Sequence, residues 1–194
     1  MTEPRPRGHT DPWDAVVADL TAPGAEPPTP IVPDIRPRPS VRRGHPFSAL
    51  PDTIRCVKQR AIAGRRLYAV TFESRQPFPA QWRWLIAAEE EDDGWVARGG
   101  AGGAGEGPRH DEPWVNLAGW WGPDRFYAGG DVLTDQPISR VRLTSRNGTT
   151  LEDNTEAGVV LFLTDRTIDL PVTLELRDDA DQVRASQLAL EMPR

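Results

Sequence analysis

The chain is short of several things, and each shortage excludes something. It has one cysteine, Cys56, so no internal disulfide forms. It has one lysine, Lys58. Its other basic side chains are arginines, which fits the codon bias of a GC-rich bacterial genome, as do its many Ala, Gly and Pro residues. No stretch reaches the roughly 18 apolar residues of a membrane-spanning helix. Residues 1–30 hold no apolar run of signal-peptide length. The expectation is a cytoplasmic protein without membrane contact. A net charge of -6 gives no general reason to bind nucleic acid, although the stretch from Arg36 to Arg66 is locally basic. There is no G-x-S-x-G, no recognisable acid–base pair and no ligand cluster at metal-site spacing. These gaps predict a protein that is not an enzyme and uses no metal or cofactor.

Apolar residues are scarce too, at 38% against 20 prolines, and the deficit lies at the front. Residues 1–51 read as a Pro-rich, disordered arm and residues 52–194 as a β-sandwich domain. The arm carries one helical signal, residues 11–20. Asp11 can cap the helix N-terminus, and Pro12 suits its first position. Trp13, Val16, Val17 and Leu20 recur at helical spacing and make one apolar face. Such a short helix must dock on something or fray. Residues 21–51 read as a polyproline II linker.

Strand signals organise the rest. Ile168, Leu170, Val172, Leu174 and Leu176 alternate with polar positions, and Pro171 on the outward phase predicts an edge strand or a bulge. Val159 to Leu163 is apolar on both phases, as in a central strand covered on both faces. Val141 and Leu143 precede Asn147-Gly148, a hairpin signal, and Thr149 to Glu152 reads as the return strand. Asp178 to Asp181 reads as a turn before a last strand at Val183–Leu188. Leu67–Ser74 and Trp82–Ile86 are further strands, with an acidic hairpin tip at 89–93 and a return at Trp95. Residues 54–64 fit a helix or a strand. Gly99–Pro108 reads as a glycine-rich loop, and Pro113–Gly130 as an aromatic crossover. The fold class is all-β: an antiparallel β-sandwich with a long Pro-rich arm.

Few local patterns point to chemistry. Gly100 to Gly105 matches G-x-G-x-x-G, but Pro108 follows and no helix does, so phosphate binding lacks its context. His110-Asp111-Glu112 are consecutive and do not converge on one ion. Asp178-Asp179-Ala180-Asp181 lacks the spacing of a calcium loop. Cys56 lies in a basic stretch that would lower its pKa, but His45 sits on the linker, without the rigid frame a catalytic pair needs. Trp114, Trp120, Trp121, Phe126 and Tyr127 form an aromatic cluster, read first as core and second as a ligand platform. Trp120-Trp121-Gly122, and Tyr127 with Asp131, match W-x-G and Y-x-x-x-D signals of type VII secretion substrates. Those signals sit on a helical hairpin, and Gly129-Gly130 opposes a helix here.

Through Trp120-Trp121-Gly122, Gly129-Gly130, Val141-Arg142-Leu143 and Val159 to Leu163, the segment Trp114–Leu176 resembles small, functionally unassigned β proteins of high-GC Gram-positive bacteria. The strand rhythm is similar to immunoglobulin-like sandwiches. The resemblance implies a fold and no mechanism. Two functional expectations follow. The first is a protein–protein interaction module with an unidentified protein partner, whose groove takes the helix through Trp13, Val16, Val17 and Leu20. The alternative is a carbohydrate- or small-molecule-binding module using Trp114, Trp120, Trp121 and Tyr127.

Overall fold

The computed structural model describes residues 8–22, 47–75, 79–105 and 111–190. Most of the linker at 21–51, together with His45 and His110, therefore lies outside the described residues.

The helix α1 forms at Pro12–Thr21. Asp11 caps it by accepting from the Trp13 backbone N–H at 2.7 Å, which satisfies one of the amides a helix start leaves open. Four strands follow as an antiparallel meander: β1 (Arg55–Ile62), β2 (Arg65–Ser74), β3 (Ala80–Glu91) and β4 (Gly94–Ala104). They make the front sheet. The ambiguous segment 54–64 is thus a strand over Arg55–Ile62, because β2 offers it an antiparallel ladder, interrupted by a bulge between Cys56 and Lys58. The expected glycine loop at 99–108 is corrected as well: β4 runs to Ala104. Glycine is a poor strand former, but here the indole of Trp84 lies flat on the strand. A Cβ at Gly100 would sit 2.1 Å from the Trp84 ring nitrogen, and one at Gly102 would sit 2.7 Å from the ring.

The middle sheet holds β5 (Trp114–Gly122), β6 (Arg125–Leu133) and β9 (Val159–Thr164), in the order β5-β6-β9. The expected aromatic crossover is therefore a hairpin. Gly122 pairs with Arg125 across a two-residue turn, a connection short enough to keep the strands adjacent. The back sheet is built from β7 (Arg140–Ser145), β8 (Thr150–Asn154), β10 (Val172–Arg177) and β11 (Val183–Ala189), in the order β11-β10-β7-β8. Between β7 and β8, Gly148 takes a φ of 83°, a value that costs glycine little. Pro171 falls just before β10, where it interrupts no ladder, so β10 is an inner strand and not the expected edge.

Four layers result: helix, front sheet, middle sheet, back sheet. Val160 and Phe162 face the back sheet and pack with Val141, Leu143, Val172, Leu174 and Leu176. Val159 and Leu161 face the front sheet and pack with Leu67, Ala69, Leu85 and Ala87. The doubly apolar run is covered on both faces, as its pattern requires. It is nevertheless an edge of its own three-stranded sheet. Gly129 lets the front and middle sheets close up, since a Cβ there would stand 3.1 Å from Leu85 and 2.7 Å from Leu161.

Helix α1 covers the outer face of the front sheet. Val16 and Leu20 are fully buried in a core with Tyr68, Val70, Phe72, Trp82 and Ile86, and Trp13 and Val17 pack at its margin. Phe47 lies in the same core, its ring centroid 4.7 Å from Phe72 and 5.0 Å from both Trp82 and Trp84. The Ala49 N–H donates to the Leu20 carbonyl at 2.9 Å. The two ends of the Pro-rich segment are therefore bound to each other. The helix and Phe47 belong to the packed body, so the expected boundary at residue 51 cuts through a core.

Candidate functional site

Each edge strand offers one row of unpaired backbone groups, and the fold handles these edges differently. The β9 edge is closed by charge. Lys58 comes from β1 and Asp153 from β8, both with buried side chains, at 2.7 Å. The Lys58 ammonium also donates to the Val159 carbonyl at 3.0 Å, to Asn154 Oδ1 at 2.8 Å and to the Asn154 carbonyl. Asp153 Oδ2 accepts the Leu161 N–H at 2.6 Å, and Oδ1 accepts Arg60 Nε at 2.9 Å. One ion pair thus ties all three sheets together. Burial holds the Lys58 ammonium below lysine's ordinary pKa, although Asp153 pulls the other way. All of its protons have acceptors, so it is a structural cation and not a free nucleophile.

At the far end of the interface, Tyr127 is buried and its hydroxyl donates to Glu89. Desolvation, then that hydrogen bond, raises its pKa. Arg98 and Arg125 flank Glu89 at 3.6 and 3.3 Å. Trp120 stacks on the Tyr127 ring at 5.2 Å and 17°.

Elsewhere the front and middle sheets do not fill their interface. A groove of about 400 Å³ opens where β4 lies over β5 and β3 over β6. Its lining is mostly small: Ala69, Ala101, Gly103, Ala118, Gly129 and Gly130, with Leu85 and Val159 deeper. Arg83 and Asp131 pair across it at 2.7 Å, and Asn116 stands on the β5 side. Chemically it offers an apolar slot with a guanidinium, a carboxylate and an amide on its walls. Sequence reasoning missed it. The usable signal was two stretches of small residues, 99–105 and 128–130, which only the fold brings opposite one another.

A second, wider depression of about 700 Å³ runs along Asp11, Trp13, Cys56, Arg60, Arg66 and Tyr68. It is shallower, and its cations are engaged: Arg60 by Asp153, Arg66 by the Ile62 and Arg65 carbonyls and by the Trp95 face at 5.0 Å. Cys56 is exposed there. The chain packed on its other side excludes enough water that desolvation raises the thiol pKa, against the lowering expected from the basic stretch.

The four aromatic residues expected to form a platform do not converge. Trp120 and Tyr127 stack on each other, while Trp114 and Trp121 sit at opposite ends and on opposite faces of β5. The helix face of Trp13, Val16, Val17 and Leu20 lies against the chain's own front sheet. Asp178 uses both carboxylate oxygens on the Ala180 and Gln182 N–H groups and on Arg184. Those bonds explain its lowered pKa and leave it no lone pairs arranged for calcium. Among the described residues no group of three His, Cys, Asp or Glu is placed to hold a metal, and no helix is long and apolar enough to cross a membrane. No protein-family model, no curated protein and no solved structure matches this chain.

Proposed function

We propose that this chain is a non-enzymatic binding module whose site is the groove between the front and middle sheets. It takes a small molecule with an apolar body and one polar or anionic group. The observation that carries this reading is the gap itself: a closely packed interface keeps a slot of about 400 Å³ beside an Arg–Asp pair. The groove opens to solvent at Gly103 and Asn116, and its small side chains leave room that larger ones would fill. The body of the ligand lies against Leu85 and Val159, and its head reaches Arg83 or Asn116. This keeps the ligand-binding alternative of the sequence and moves its site from the aromatic residues to the small ones between them.

Anilinonaphthalene sulfonate suits as a probe, having an aromatic body and a sulfonate for Arg83. The expected result is saturable fluorescence enhancement with single-site stoichiometry. Ala118→Leu, which fills the groove, should weaken binding by more than about tenfold, or about 1.4 kcal/mol, with an unchanged circular dichroism spectrum. Enhancement that never saturates, or that Ala118→Leu leaves intact, contradicts the reading.

A further inference from the structure

We infer that β5 is a self-association edge: two copies of this chain pair their β5 strands antiparallel about a twofold axis at Gly119. The inference goes beyond the groove reading and does not depend on it.

Exposed strand edges invite pairing with other chains, and folds blunt them with charge, proline or cover. Among the described residues six strands lie at sheet edges, and of these β1, β4, β8 and β11 each carry a charged residue. Only β5 and β9 carry none. The β9 edge is closed by Lys58 and Asp153. The β5 edge is closed at one point, where the Gln187 side chain takes the Val115 N–H at 2.8 Å and its carbonyl at 2.9 Å. That bond fixes the phase of the strand. Val115 points its backbone outward, so by alternation Leu117, Gly119 and Trp121 do the same. Among the described residues, nothing hydrogen-bonds these outward groups.

The open row is self-complementary. It is centred on Gly119, so a twofold axis there places Leu117 opposite Trp121 of the second copy, twice. On the other face it places Ala118 opposite Trp120 of the second copy, small against large. Cross-strand aromatic and apolar pairs of this kind stabilise antiparallel ladders, and an interface that pairs one patch with itself closes as a dimer. Four large apolar side chains stay exposed among the described residues: Trp114 at 45%, Trp121 at 40%, Val183 at 48% and Leu188 at 53%. All lie on β5 or on β11, the back-sheet strand that Gln187 links to β5. The pairing covers Trp121. It also brings Trp120 of the second copy beside Ala118, a groove-lining residue, so the second copy would add to the groove wall.

The test is light-scattering mass of the full chain at micromolar concentration. The native chain is expected at twice the monomer mass. Leu117→Glu and Trp121→Lys should each raise the dissociation constant by more than about tenfold, since a charge is then desolvated opposite an apolar partner. An equimolar mixture of the two variants should dimerise again. In it the new carboxylate faces the new ammonium across one pair, and the other pair is the native Leu117 and Trp121. A monomeric native chain overturns the inference. So does a dimer that both variants retain, or a mixture that stays monomeric. Should Leu117→Glu fail to fold, Trp121→Lys at its exposed position still decides: a dimer that survives it overturns the inference, and its loss with the fold intact supports it.

Discussion

A lone lysine and a buried tyrosine show best what single residues do here. Asp153→Asn would leave the Lys58 ammonium buried without its counter-charge. Removing one partner of a buried pair costs about 3–5 kcal/mol, and urea denaturation should show that loss. Replacing both, Lys58→Met with Asp153→Leu, should recover only part of it: the buried ion pair is then gone, but the Leu161 N–H and the Val159 carbonyl lose their partners. Tyr127 gives a pH signature. Its folded pKa lies above the ordinary value of 10.0. The native state therefore holds this proton after the unfolded chain has lost it. The resulting stability is complete below pH 10 and declines as pH rises above it. Lys58, whose folded pKa is lowered, works in the opposite sense up to its ordinary 10.5. The difference between the native chain and Tyr127→Phe isolates the tyrosine: the variant should lose less stability per pH unit above 10. An identical slope for the two proteins contradicts the assignment. None of these partnerships was legible in the sequence. Lys58 and Asp153 lie on different sheets, and periodicity along one strand says nothing about what faces it across a layer.

Elements were easier to read than their destinations. The cap, the proline and the spacing at Asp11–Leu20 specify a helix, and the structure has it at Pro12–Thr21. Where its apolar face goes was not legible, because a stripe that fits a partner's groove also fits the chain's own sheet. Here Leu20 is fully buried. Leu20→Ala should cost about 2–5 kcal/mol, as in other buried large-to-small changes, read as a lowered urea midpoint. A loss under half a kcal/mol would place the helix off the sheet in solution. Strand β4 failed for the opposite reason. Its glycines argue locally for a loop, and only the Trp84 ring lying across Gly100 and Gly102 accounts for a strand there. Pro171 misled by one residue: β10 starts just after it.

At the scale of the whole molecule, alternating strands with turns between them gave an all-β sandwich. The number of layers was hidden in one run. Val159 to Leu163 is apolar on both phases because the middle sheet is packed from both sides, and that implies a third sheet. The groove follows from the same stacking. Lys58–Asp153 closes one end of the interface between the front and middle sheets, and the Tyr127–Glu89 cluster closes another. Where β4 lies over β5, small residues leave a gap. The most direct test is an amide NMR titration of the full chain with anilinonaphthalene sulfonate. Glycine amides report in a spectral region of their own. Saturable shifts at Gly102, Gly103, Gly129 and Gly130, with Gly64 and Gly148 unmoved, are the predicted result. Shifts centred instead on the Trp13, Cys56 and Tyr68 depression, or spread without saturation, would contradict the account.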